Sequence, residues 1–416
     1  MPFLNKFLIL LIIVLTVLGL FYLFFQRQQI LNRLRTQEGM TTAAADKTQQ
    51  KVNDNYVKLE MSSVVIQTPT TISNVNPIVA NLPLNQVCIK SSYNSACSGK
   101  YISIDMIQYL LSRGCRYLDF ELYLLNSSGD NSSEKDLYVG VAQDSNATAP
   151  TSYNTVLFTT VLANTIASAF SMQTGKTYAT TNPNDPLFIQ LRLKTDNESK
   201  QDMFTAIRKD IQRVSTAGYS RYIGNDLGSF IVDSDYPIAA FLNKVVFVFQ
   251  EEENYIAFPD DDPSSSVSSS YPTKKSKASR HISGSSTNPA EFYPFIYMLS
   301  NTTDFRIYYY KELLDNGRIN NPPNENTPYT TNVNELRVVV PTPNAGAEDN
   351  PSIYSSIGNQ GVQITTYQYY KPSYSLFTHE KIFDTYKASF IPMTQCLNYI
   401  RNYPEIQNTN AAGVLM

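Results

Sequence analysis

An α/β protein, with a parallel sheet covered by helices and closed into a barrel, is the fold the sequence predicts, on three observations. From about residue 84, strand-like and helix-like runs alternate, which places helices in the crossovers between parallel strands. Near residue 260 the alternation gives way to a Ser-rich run. Beyond that run strand-like stretches resume, so the barrel is interrupted by an insertion rather than followed by a second domain.

The first element is "FLILLIIVLTVLGLFYLFF", Phe7 to Phe25, which carries no charge. At about 1.5 Å per residue it spans nearly the ~30 Å hydrocarbon layer. The polar "QRQQILNRLR" follows it instead of the small residues of a cleavage site, so an uncleaved transmembrane helix is expected. Arg27, Arg33 and Arg35 outnumber Lys6 across this segment and favour a cytoplasmic body. Asn126, Asn131, Asn146, Asn197 and Asn301 head Asn-x-Ser/Thr triplets that would be glycosylation acceptors in a secretory lumen. The two signals point opposite ways, and the side of the membrane stays open.

Residues 26 to about 60 contain too few apolar residues to bury a face of their own and a more apolar, Pro-punctuated run follows to Pro83, so 26–83 is expected to form a stalk or linker. Then "QVCIKSS" has the pattern of a strand, and "SIDMIQYLLSRG" that of a helix with Ser103 as N-cap and Gly114 as stop. "CRYLDFELYL" follows as a strand. "LYVGVA", "PLFIQLRLK" and "NKVVFVFQ" continue as strands, with helical patterns in "YNTVLFTTVLANTIASAF" and "SKQDMFTAIRKDIQRV". The run "DDDPSSSVSSSYPTKKSKASR" cannot bury enough apolar surface to order itself. After it, "FRIYYYKEL", "ELRVVVP" and "GVQITTYQYY" are strand-like. The expected division is a flank at 1–6, an anchor at 7–25, a stalk at 26–83 and a first half-barrel at 84–255. A linker at 256–290, a second half-barrel at 291–400 and a tail at 401–416 complete it.

Composition narrows the function classes. A net charge of -3 offers no basic face for phosphate backbones, which argues against nucleic acid. The cysteines Cys88, Cys97, Cys115 and Cys396 form no C-x-x-C pair, so a zinc site is unsupported. Cys88 and Cys97 are spaced to close a short loop, and buried reduced thiols are the equal alternative.

In "RGCRYLDFELY", Asp119 and Glu121 stand at alternate strand positions and therefore share a face. Two carboxylates on one face need a counter-charge, a metal or water.

These residues carry a resemblance. "CIKSSYNSACSG" followed by "MIQYLLSRGCRYLDFELY" resembles the X region of the phosphoinositide-specific phospholipases C, whose pattern runs "SSHNTY…LxxGCRxxELD". "NDPLFIQLRLK" is similar to that family's "PVILSLE" strand, and "LRVVVPTPNAG" with "GNQGVQITTYQYYKPSYSLFTHEKIF" resembles its Y region more faintly. The Ser-rich insertion then falls where the family carries its X/Y linker. The resemblance implies the phospholipase C-like phosphodiesterase fold, a TIM-type (β/α)8 barrel with its site at the C-terminal strand ends.

The family's chemistry uses two histidines and a calcium ion held by an Asn and acids, and here the sequence departs. Tyr93 stands at the first histidine position and Val141 at the second, or Val139 if the register moves by two. Neither Tyr nor Val exchanges a proton readily at neutral pH. Of the metal ligands the resemblance implies, Asn94, Asp119 and Glu121 remain. The further acid position is held by Arg192, with Gln190 or Lys194 nearby if the alignment slips. An Arg there supplies the positive charge a metal would bring. The family's phosphate-gripping Arg aligns with Val338, and Arg337 is one position off, on the opposite strand face. His281 and His379, the only histidines, are expected to be linker and surface residues.

The function expected is a membrane-anchored, catalytically inactive phospholipase C-like protein that works as a binding or structural module, on a lipid headgroup or a protein partner. No cofactor is expected. One alternative is an active metal-dependent phosphodiesterase that uses Asp119 or Glu121 as base with calcium or another divalent ion. Another is a structural envelope or surface protein, as of a large DNA virus.

Overall fold

The computed structural model describes residues 42–64, 71–126, 135–142, 148–172, 178–195, 199–224, 230–249, 295–300, 305–313, 335–342 and 348–403. The chain divides into two compact units, Met1–Leu59 and Glu60–Met416. The described part of the first is helix, the beginning of α1 (Thr42–Val64). Among the described residues no helix is long and apolar enough to cross a membrane, and the anchor expected at 7–25 lies outside them, as does the linker at 256–290.

In the second unit the elements run α2 (Pro77–Ala80), β1 (Val87–Ile89), β2 (Ser91–Ser92), α3 (Ile104–Ser112), β3 (Tyr117–Asn126), β4 (Lys135–Gly140), β5 (Val156–Leu157) and α4 (Phe158–Ala169). They continue with β6 (Leu187–Lys194), α5 (Lys200–Val214), α6 (Ser220–Ile223), β7 (Phe230–Ile231), β8 (Val245–Phe249), β9 (Ile296–Leu299), β10 (Phe305–Tyr309) and β11 (Leu336–Val340). The last are β12 (Ile364–Thr365), α7 (Tyr374–Tyr386), β13 (Phe390–Pro392) and α8 (Met393–Asn402).

The α3 boundaries follow their expected cause. The Ser103 hydroxyl accepts from the Met106 amide, and Gly114 lies in the left-handed region at φ 84°. A Cβ on Gly114 would also come within 2.8 Å of Ile72 and 2.9 Å of Ser389, so space as well as conformation requires glycine there.

The strands β2, β3, β6, β8 and β9 lie side by side and parallel. On the other side of β2, a parallel bridge from Ser92 to Tyr367 leads to β12, β11 and β10, again parallel. Ser91 Oγ donates to the Thr365 carbonyl at 2.7 Å and the Tyr93 amide to the Tyr367 carbonyl at 2.9 Å, which holds this join. One apolar core unites the inward side chains: Tyr117, Phe188, Val246, Val248, Ile296 and Met298 from one wall, Phe305, Leu336, Val338, Val340 and Ile364 from the other. Leu84, Val87, Ile89 and Phe390 pack into the same core.

The closed barrel is corrected in one respect. Among the described residues no ladder joins β9 to β10; instead β7 pairs with β9, with Phe230 opposite Ile296 and Ile231 opposite Tyr297. That pairing takes the edge a closing strand would need.

Three local expectations also change. The run "QVCIKSS" is not one strand: β1 pairs antiparallel with β13, β2 pairs parallel with β3, and Lys90 lies buried between them. β4 is antiparallel to β3 rather than a parallel barrel strand, because the link at 127–134 is too short for a helical crossover. The stalk assigned to 26–83 ends earlier. Ile72 is buried, the Ser73 amide donates to the Lys387 carbonyl at 2.9 Å and the Val75 amide to Asp185 Oδ1 at 2.6 Å.

All four cysteines are buried free thiols, so the Cys88–Cys97 loop closure is not made. His379 is not a surface residue: it is 1% exposed, its ring stacked on Tyr367 at 4.0 Å between centroids. His281 lies outside the described residues.

Candidate functional site

Register places the site. Asp119 lies opposite Gln190, and Glu121 opposite Arg192, on the adjacent strands β3 and β6. Each is an even number of residues from Tyr117 and Phe188, which face the apolar core, so all of them point inward. The inward columns thus run from apolar at the N-terminal end to ionic at the C-terminal end. Tyr117 bridges the change, its hydroxyl donating to Gln190 Oε1 at 2.9 Å.

The loop that follows β2 is zipped onto β3 at the level of Asp119. The Ser95 amide donates to the Asp119 carbonyl at 2.8 Å, and the Asp119 amide donates back to Ser95 Oγ at 2.9 Å. Ser92 and Ser95 hydroxyls lie 2.6 Å apart. The turn needs φ 45° at Asn94, a conformation Asn tolerates better than most residues. It aims the Asn94 amide at Asp119 Oδ1, 3.0 Å away.

Arg192 fills the centre. Its Nε donates to Asp119 Oδ2 at 2.8 Å, and one terminal nitrogen reaches Asp119 Oδ1 at 2.7 Å and Asn94 Oδ1 at 2.5 Å. The other terminal nitrogen donates to Glu121 Oε1 at 2.6 Å. The remaining Glu121 oxygen accepts from the Tyr123 hydroxyl and the Ala142 amide, both at 2.8 Å. Tyr93 covers the guanidinium, with its ring centroid 4.3 Å from Cζ, a cation–π stack.

The cluster is out of water: the side chains of Asp119, Glu121 and Arg192 are 0%, 2% and 11% exposed. Burial alone would push the Glu121 carboxyl up, but Arg192, with Lys194 and the two donated hydrogen bonds, holds it below the usual carboxylate range. Burial raises the Tyr93 phenol well above its ordinary value despite Arg192. Arg192 itself is held charged, since Asp119, Tyr93 and Glu121 outweigh its desolvation.

The structure therefore brings Tyr93, Asn94, Asp119, Glu121 and Arg192 together. Val141 lies just beyond β4, where its carbonyl accepts from the Thr151 and Ser152 amides. Its neighbour Ala142 donates its amide to Glu121, so this position lies next to the site in the chain. Val139 is buried on β4. Val338 faces the core, while the Arg337 guanidinium bonds Glu335 and the Gln360 carbonyl, away from Arg192. Tyr123, the Ala142 amide and the Tyr117–Gln190 pair escaped the sequence reading. Tyr117 and Tyr123 had a signal, each two residues from an acid of the pair and hence on its face.

A divalent cation does not fit this donor set. Both oxygens of Asp119 and both of Glu121 already accept from N–H or O–H donors, and a permanent cation occupies the space between them. Among the described residues no group of three or more His, Cys, Asp or Glu is placed to hold a metal.

An α/β protein with a curled parallel sheet and an ionic cluster at the C-terminal strand ends is the class that fold and site define. Among solved structures it is similar to PLC21 of L. pealei at 12% identity and a TM-score of 0.47, over 75% of this chain and 37% of that one. PLC21 of S. officinalis gives 12% and 0.46 over 76% and 37%. A calcium-dependent phosphoinositol-specific phospholipase C from a Gram-negative Pseudomonas sp. gives 10% and 0.37 over 79% of this chain and 100% of that one. The chain spans little more than a third of the two PLC21 proteins, at 37% of each. No protein-family model and no curated protein matches it.

Proposed function

We propose that the chain is a membrane-anchored, catalytically inactive relative of the phosphoinositide-specific phospholipases C that acts as a binding or structural module. One observation carries this reading: a guanidinium, hydrogen-bonded to Asn94, Asp119 and Glu121, stands where the sequence resemblance puts a metal. Among the described residues, the two histidine positions hold no group that moves a proton near neutral pH. Tyr93, at the first histidine position, is held protonated by burial, and Val141, at the second, has no proton to exchange. Glu121 is a weaker base than an ordinary carboxylate, and both of its oxygens are occupied.

The full chain is expected to hydrolyse neither phosphatidylinositol nor a glycerophosphodiester above background, with calcium or magnesium present. Tyr93→His with Val141→His is expected to stay inactive while Arg192 remains. Turnover by the unmodified chain that is lost in Asp119→Asn would establish the active phosphodiesterase instead.

The anchor has its own test. Residues 7–25 are expected to hold the full chain in the detergent phase on phase separation, and a chain that begins at Thr42 to stay in the aqueous phase. Full-length chain in the aqueous phase would remove the anchor and leave the inactive-site reading standing. A lipid headgroup or a protein partner is the ligand class proposed for the module.

A further inference from the structure

Among the described residues outside the site, His379 is a buried titratable group with both polar atoms unpartnered. It lies on the core face of α7, fully buried, with Tyr367 stacked on one side and the Phe383 ring 5.0 Å away, edge-on, on another. Neither ring nitrogen has a hydrogen-bond partner. A buried polar group without a partner is uncommon and costs stability, so the arrangement holds only while the imidazole is neutral.

A charged ring would find no acceptor there. On its own helix the acids are Glu380 and Asp384. Glu380 is already ion-paired with Lys90 of the β1–β2 junction, and accepts from Arg113 at the end of α3 and from the Tyr369 hydroxyl. Asp384 pairs with the same two cations. From the segment after β12, Tyr367 gives its hydroxyl to the Pro351 carbonyl at 2.9 Å. A proton on His379 would thus join Lys90 and Arg113 on the side of a cluster whose anions are already matched.

We infer that His379 makes the docking of α7 acid-sensitive: taking up one proton releases the helix from the body so that the imidazolium reaches water. The direction of the titration agrees. Burial, only partly offset by Glu380 and reinforced by Lys90, brings the ring from its ordinary 6.5 down to about 3. A histidine with a depressed folded value stabilises the docked state above its ordinary value, and that contribution is lost as pH falls from 6.5 toward about 3. Glu380 begins to contribute an acid effect only below its ordinary 4.5. Asp210 on α5, raised by burial to about 6, works in the opposite sense, because its folded form holds the proton more tightly.

Hydrogen exchange of the full chain in detergent, with peptides resolved by mass and corrected for intrinsic rates, tests this between pH 7 and 4.5. Protection of amides in 374–386 is expected to fall about tenfold per pH unit below about 6.5, one proton being taken up on opening, while β3 and β6, which open only with the whole fold, stay better protected than α7 at every pH. His379→Phe, with His379→Leu as a second variant should the larger ring unfold the chain, is expected to abolish the fall. The inference is overturned if α7 keeps its protection throughout, if the variants lose it alike, or if α7 is no less protected than β3, which would place its exchange in unfolding of the whole fold.

Discussion

Arg192→Ala is expected to destabilise the body by about 3–5 kcal/mol, the cost of leaving buried charge without its partner. That is a large part of the ~5–15 kcal/mol that holds a domain folded, and urea unfolding of the full chain measures it. An open mouth would have made the pair worth only about 0–1 kcal/mol. Asp119 and Glu121 are 0% and 2% exposed, so the buried case applies. Arg192→Lys should recover only part of the loss, since an ammonium cannot fork to both Asp119 oxygens, Glu121 and Asn94 together. Replacing all three charges, as in Arg192→Met with Asp119→Asn and Glu121→Gln, should unfold later than Arg192→Ala, because no uncompensated charge remains. A triple variant no more stable than the single one would place the loss in packing. The melting temperature of Arg192→Glu should rise with millimolar calcium, while that of the unmodified chain should not.

Local periodicity made much of the fold legible. The alternation at Tyr117, Asp119 and Glu121 predicts both the strand and the shared face, and Ser103 and Gly114 delimit their helix for reasons contained in single residues. What periodicity cannot carry is direction. "LYVGVA" has the same pattern whether parallel or antiparallel to β3, and only the short link before it distinguishes the two. The break at Lys90 was hidden because a buried lysine needs Glu380, some 290 positions away, to make sense.

The candidate site divides along the same line. Asp119, Glu121 and their need for a counter-charge are written in adjacent positions, and Arg192 is in reach through the resemblance. The Ala142 amide that finishes the shell is a backbone group, which no residue type announces. His379 did have a signal. Leu376, His379, Glu380 and Phe383 recur at the helical period, and all are buried.

A second buried ionic cluster gives the other large effect. Glu380 is met at Oε1 by Lys90 Nζ, 2.9 Å away, and by the Tyr369 hydroxyl; its Oε2 accepts from Arg113 Nε at 2.6 Å. Lys90 is fully buried and Arg113 nearly so, whereas the second acid, Asp384, is 31% exposed. Glu380 is thus the one fully desolvated anion that two desolvated cations share, and it ties α7 to the β1–β2 junction and to the end of α3. Burial would raise its carboxyl, yet Lys90 and Arg113 together bring it from 4.5 down to about 2. An acid depressed in the folded state stabilises fully above its ordinary value, so this contribution is complete above pH 4.5 and is lost as pH falls toward about 2. Glu380→Gln keeps the shape and removes the charge, leaving Lys90 and Arg113 with Asp384 alone, and is expected to cost about 3–5 kcal/mol at neutral pH. Asp384→Asn, partly in water, should cost far less. Urea midpoints between pH 7 and 2.5 check both expectations. The parent chain should lose stability more steeply below pH 4.5 than the Glu380→Gln chain, while the loss that belongs to His379 should persist in both. Equal acid slopes below pH 4.5 in parent and Glu380→Gln chains would mean that another carboxylate carries the acid sensitivity and that Glu380 is not what binds α7 to the rest of the fold.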